Sequence, residues 1–201
     1  FGLTSATTFR TLEDDEAQSS LLALSEHTDP HVRAVVAFDL AEIAERRGDA
    51  EQALAQLRAA LSAAPDGPSI QAVLEDRLID SGDFDALHKL LAERARTQSG
   101  EDRRVLLSRA ALAAERAGDH ASAFTHWTEL AGLCESNERA GVLRELYGLA
   151  VRTGDTAQLR AAGEALLECA ITDDERSALR HARFEAAWTA QALPEVQESL
   201  R

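Results

Sequence analysis

A Gly-Asp step occurs four times in the chain: Gly48-Asp49, Gly82-Asp83, Gly118-Asp119 and Gly154-Asp155. The glycines stand 34, 36 and 36 residues apart. Each step closes an apolar stretch of helical period and opens another. Glycine reaches the left-handed conformation that ends a helix without a Cβ penalty. The Asp that follows caps the next helix by accepting from its free amides. A dipeptide recurring at this period predicts stacked helical hairpins, each burying its apolar side against the next.

The stretches between the steps agree. Thr28-Asp29-Pro30 starts a helix that runs to about Arg47, with Val32, Val36, Ala37, Leu40, Ala41, Ile43 and Ala44 at spacings of three and four. Asp49, with Gln52 three residues on, opens a second helix that halts before Pro65-Asp66-Gly67-Pro68. Ser69 to Ser81 is the next first helix, and Phe84, Leu87, Leu90, Leu91 and Ala95 line its second. Ser99 with Asp102 and Thr172 with Glu175 read as capping boxes, and Ser136 opens a helix to Thr153. Ala190 to Pro194 is a different turn, and Val196 and Leu200 begin one more helix. Residues 1–12 (FGLTSATTFRTL) are read as an aperiodic tail or linker, and 13–201 as one helical repeat domain. The chain lacks Met, begins at Phe1 and stops at Arg201 inside a helical pattern, which points to a piece of a longer protein.

These residues resemble the tetratricopeptide repeat. That motif places Gly before an acidic or polar residue at the hairpin turn, a small residue five positions later and often Pro at the repeat's end. Ala34 to Gly67 carries Ala41 and Ala53 at the two small positions and Pro65 at the terminal one. The repeat around Gly118 keeps Ala111 and Ala123, whereas Glu75, Leu87, Tyr147 and Leu159 replace small residues in the other two. The resemblance spans roughly residues 30 to 190. It implies an all-α fold, a right-handed α-solenoid whose first helices line a concave groove, and partner binding without catalysis. Carried over in register, the groove positions are Phe38, Glu42, Glu45, Ala72, Asp76, Ser108, Leu112, Glu115, Arg144, Gly148, Arg180, Phe184 and Trp188. Chaperone-binding members clamp a C-terminal carboxylate with Lys, Asn and Arg. Here Phe38 and Glu42 stand at the first-repeat clamp positions, so that ligand is not implied. The groove so drawn is acidic towards its N-terminal end and carries Arg and aromatics towards its C-terminal end, a polarised peptide site.

The acidic balance, −14 with a pI near 4.8, argues against nucleic acid, whose phosphates need basic patches. No apolar run is long enough for a membrane span and no signal-peptide pattern opens the chain, so a cytoplasmic protein is expected. Cys134 and Cys169 are too few for a disulfide framework or a four-ligand zinc site and read as buried small hydrophobes near the ends of neighbouring second helices. The histidines are scattered. His27, Asp29 and His31 share a turn, and His126 and Glu129 share a helix face, but neither set completes a metal site. HExxH, GxSxG and phosphate-binding loop motifs are all missing, so no cofactor and no catalytic residue is assigned. Arg47-Gly48-Asp49 matches an adhesion tripeptide, but a helix end, a closing Gly and a cap already explain it. The expectation is a non-catalytic scaffold for a protein or peptide partner. The alternative is a regulatory domain whose ligand controls an attached effector. An uncovered end repeat would also promote end-to-end self-association.

Overall fold

The computed structural model describes residues 3–169 and 172–182. The chain divides into two compact units, Phe1–Asp83 and Phe84–Arg201. The boundary falls at the second Gly-Asp step, where the sequence suggests an uninterrupted array. Unit 1 holds α1 (Leu3–Leu24), α2 (Pro30–Arg46), α3 (Ala50–Ala63) and α4 (Pro68–Ser81). Unit 2 holds α5 (Phe84–Thr97), α6 (Gly100–Ala117), α7 (His120–Leu133), α8 (Ser136–Thr153), α9 (Thr156–Leu167) and a helical stretch over 173–182. No strand occurs among the described residues. In each unit the helices pack in chain order: α1 on α2, α2 on α3 and α3 on α4; then α5 on α6, α6 on α7, α7 on α8 and α8 on α9. Each unit is therefore a run of helix hairpins of the all-α solenoid class.

The four steps share one hydrogen-bonding plan. Gly48, Gly82, Gly118 and Gly154 have φ of 78°, 71°, 77° and 70°. Each glycine amide bonds back three residues, and each following Asp amide bonds back five: Asp49 to Ala44 O at 2.9 Å, Asp83 to Leu78 O at 3.0 Å, Asp119 to Ala114 O at 2.9 Å and Asp155 to Ala150 O at 3.1 Å. This double closure satisfies carbonyls that a helix end otherwise leaves open. The Asp then turns to the next helix. Asp49 accepts from the Gln52 amide at 3.0 Å, Asp119 from Ser122 at 3.1 Å, and Asp155 from Ala157 and Gln158 at 3.0 Å each.

Two local expectations change. α1 begins at Leu3, inside the segment read as a tail. The apolar residues there, Leu3, Ala6, Phe9 and Leu12, recur every three residues and so form no stripe of helical period, which leaves the helix start without a local signal. Ser99 precedes α6 but makes no side-chain cap hydrogen bond, so the capping box with Asp102 does not form. Gly100 directly after it takes a φ of 59°. At the other expected box, the Thr172 hydroxyl accepts from the Glu175 amide at 3.2 Å. The turn at Ala190–Pro194 and the helix with Val196 and Leu200 lie outside the described residues.

The core explains where the repeats depart from the motif. Ala41 and Ala111 sit seven residues before their glycine, with Leu57 and Trp127 nine residues after it. All four are buried. In the last repeat the sizes are exchanged, with Tyr147 seven before and Gly163 nine after. A Cβ added at Gly163 would meet Tyr147 Cε2 at 3.4 Å. The bulk has moved from the second helix to the first, and the hairpin stays filled. Tyr147 and Leu179 also pack on a cluster of Ala131, Ala140, Leu143, Leu166 and Cys169, which joins α7, α8, α9 and the 173–182 stretch. Cys169 is buried and Cys134 half-buried, and both are free thiols.

Candidate partner-binding faces

Every first helix repeats one spacing on its outward side. The positions are Val35, Phe38, Glu42 and Glu45 on α2; Ser69, Ala72, Asp76 and Ile79 on α4; Val105, Ser108, Leu112 and Glu115 on α6; Gly141, Arg144, Gly148 and Val151 on α8. Steps of three, four and three keep such residues on a single helix face. What stands there differs between the units.

In unit 1 the face sets carboxylates beside exposed aliphatics, Val35 at 60% and Ile79 at 43%. Glu42 and Asp76 are exposed, Phe38 is half-buried and Glu45 is half-buried by an ion pair. Arg77 of α4 grips the Glu45 carboxylate with both Nε and Nη2, the latter at 2.8 Å. Arg46 extends the series to α1, reaching Asp14 at 2.7 Å. Asp76 also lines a shallow cleft of about 310 Å³ with Arg77, Ile79 and Asp80.

In unit 2 the face is apolar between satisfied charges. Val105 is 47% exposed, Leu112 50% and Val151 57%. Gly141 and Gly148 add no side chain, and nothing lies within 4 Å of where a Cβ on Gly141 would stand. Two ion pairs join α6 to α8 at either end of this strip: Arg104 with Glu138 and Glu115 with Arg152. They join N-terminal end to N-terminal end and C-terminal end to C-terminal end, so α6 and α8 run side by side in the same direction. Glu115 is anchored a second time, because its Oε1 accepts from Trp127 Nε1 of α7 at 2.8 Å. Arg144 forks onto Glu175 at 2.6 and 2.8 Å, holding the 173–182 stretch against α8. That fork holds the Glu175 carboxyl below the usual carboxylate range. Arg180 is exposed.

Of the residues singled out from sequence, Glu45, Glu115 and Arg144 are thus bound within the fold. Glu42, Asp76 and Arg180 remain outward. Phe184 and Trp188 lie outside the described residues. Val35, Ile79, Val105 and Val151 were not picked out, although they share the spacing.

A second polar cluster lies inside unit 2. His88 of α5 is 3% exposed, and neither of its ring nitrogens has a hydrogen-bond partner among the described residues. Asp85 Oδ1 and Asp119 Oδ2 approach its Nε2 to 3.4 and 3.7 Å. The His126 ring of α7 stands 6.0 Å away, centroid to centroid. Burial lowers the His126 pKa, as does a charge on His88 or Arg96, while Glu129 and Asp119 pull the other way. The unfolded chain protonates this imidazole near its ordinary value of about 6.5. The folded chain takes up the proton at lower pH. Stability therefore falls as pH drops below about 6.5, before the carboxylates titrate. Urea midpoints at pH 7.0, 6.0 and 5.0 are expected to decrease, and His126→Gln to flatten that decrease. An equal slope in the variant would exclude His126 as the cause.

No helix among the described residues is long and apolar enough to cross a membrane. No protein-family model and no curated protein matches the sequence. Two solved structures align over most of the chain. "MamA RS-1 ArsTM double mutant" is 13% identical, covering 90% of this chain and 92% of its own, with a TM-score of 0.42. BtubC (BKLC) from P. vanneervenii is 14% identical, covering 90% of this chain and 76% of its own, with a TM-score of 0.39. Scores at this level do not establish a shared fold, so the all-α assignment rests on the helices, caps and packing described above.

Proposed function

We propose that the chain is a non-catalytic interaction module whose α6–α8 face seats an apolar segment of a partner protein or peptide. One observation carries this reading. Val105, Leu112 and Val151 are large aliphatic side chains left about half exposed on one register, while the charges at both ends of the strip are already paired within the fold. Grouped exposed aliphatics lower their free energy by leaving water, whereas the neighbouring ion pairs gain little from a new partner. Gly141 lets a bound backbone come close to α8, whereas the space over Gly148 is taken by the Arg152 guanidinium. In unit 1 the outward Glu42 and Asp76 favour basic residues in a partner, which would set orientation and association rate more than affinity.

The test is quantitative retention of lysate proteins on the immobilised chain, comparing wild type with Leu112→Asp, Val151→Asp and Glu42→Lys. Proteins held through the apolar strip are expected to lose at least about tenfold in retention with either Asp variant, the size of effect an interface anchor produces. Melting temperature should be nearly unchanged, since both positions are exposed. Specific retention that is equal in wild type and both Asp variants would sink this reading.

A further inference from the structure

Unit 1 contains a cavity of about 280 Å³ where the end of α1 meets α2 and α3. Its apolar wall is Val36, Ala37 and Leu40 from α2 with Ala59 and Ala63 from α3. Ser25, Gln56 and Ser62 supply neutral polar groups, and Arg33 is the one charged residue lining it. The space owes its width to alanine. At the register of Ala59, eleven residues after the step glycine, the next two hairpins carry Glu93 and Glu129.

Arg33 differs from the other described arginines of its unit. Arg46, Arg47, Arg58 and Arg77 each pair with a carboxylate, from Asp14, Asp15, Asp83 and Glu45 respectively. No described carboxylate pairs with Arg33. Its Nη1 donates to the carbonyls of His27 at 2.8 Å and Thr28 at 3.1 Å, which fixes the guanidinium in place. No described residue accepts from its Nε or Nη2. A chain with 35 acidic and 21 basic residues thus keeps a held, half-buried cation beside a cavity of mixed apolar and neutral polar lining that no described carboxylate enters.

We propose that this cavity binds an aliphatic monocarboxylate, with its chain against Val36, Leu40, Ala59 and Ala63 and its carboxylate on the free edge of the Arg33 guanidinium. A guanidinium edge suits a carboxylate, because two parallel N–H donors match its two oxygens. The volume admits about nine groups of water size at ~30 Å³ each. That corresponds to a carboxylate on six to eight carbons. The site belongs to unit 1 and the α6–α8 face to unit 2, and the proposal stands independently of the interaction role.

The test is a chemical-shift titration of the full chain with butyrate, hexanoate, octanoate and octanol at about 0.15 M salt, where long-range repulsion from the acidic surface is screened. Octanoate is expected to saturate, with the largest shifts at Val36, Leu40, Ala59 and Ala63. Affinity should rise two- to fourfold per added methylene until the cavity is full. Arg33→Gln is expected to weaken octanoate at least tenfold and leave octanol unchanged. Arg33 also holds the α1–α2 turn, so Ala59→Leu, which fills the cavity from α3, provides a second variant and should abolish binding of both compounds. The proposal is overturned if octanoate fails to saturate by 10 mM, if octanol binds as tightly, or if Ala59→Leu leaves octanoate affinity unchanged.

Discussion

Trp127→Ala is expected to lower the stability of unit 2 by about 3–5 kcal/mol, the range for removing a large aromatic side chain from a packed interior. Trp127 is 4% exposed and sits in the α6–α7 hairpin at the position that Gly163 holds in the next one. Its partner position across the turn is Ala111, which is 0% exposed and has no side chain able to spread into the hole. The indole has a second role. Its N–H donates to Glu115 Oε1, and the other Glu115 oxygen accepts from Arg152 of α8. Truncation therefore opens a cavity and loosens the acid that joins α6, α7 and α8. Trp127→Phe separates the two effects: most of the volume returns while the N–H is lost, and the cost should fall to about 1–2 kcal/mol. Urea unfolding followed by circular dichroism measures both. A loss below about 1 kcal/mol for the alanine variant would mean that the hairpin collapses around the gap and that Trp127 is not its keystone.

The helices were legible because their signals are local. Gly and Asp act on amides and carbonyls within five residues, so the dipeptide alone foretells the closure at Ala44, Leu78, Ala114 and Ala150 and the caps at Gln52, Ser122 and Ala157. The core stripes were legible for the same reason, as helical period is a property of one segment. What the sequence hid depends on pairs. Glu45, Glu115 and Arg144 read as outward charges awaiting a partner, yet Arg77, Arg152 and Glu175 on neighbouring first helices neutralise them. Opposite charges about one repeat apart are the only trace of this in the chain, and such pairs occur by chance in a sequence 28% charged. His88 and His126 looked scattered because 38 residues separate them, although the hairpins bring their rings together. The break into two units at the second step also left no signature in the dipeptide, since Gly82-Asp83 has the same backbone closure as its three counterparts.

Tyr147 and Gly163 are the one such pair that the chain does spell out, and their exchange of sizes makes the second large prediction. Single positions judged against the repeat motif mark Tyr147 as a departure. Taken as a pair 16 residues apart, Tyr147 with Gly163 conserves the bulk that Ala111 with Trp127 and Ala41 with Leu57 supply in other hairpins. Gly163→Leu, which installs the side chain found at Leu57, should drive its branches into the Tyr147 ring, since even a Cβ there reaches 3.4 Å. Overpacking of this kind costs about 1–3 kcal/mol. Gly163→Ala should be near neutral or stabilising, because ordinary contact at that distance sets little against a helix-propensity gain of up to about 1 kcal/mol. Tyr147→Ala alone removes a half-buried ring and should cost about 2 kcal/mol. Combined, Tyr147→Ala and Gly163→Leu rebuild the Ala41–Leu57 arrangement, and the double variant should be more stable than either of these single ones. A double-mutant cycle from urea midpoints is expected to show favourable coupling of more than about 2 kcal/mol, within the range for residues in direct contact. Additivity within about 0.5 kcal/mol would show that the two positions do not share space, and the size exchange would then be a coincidence of composition.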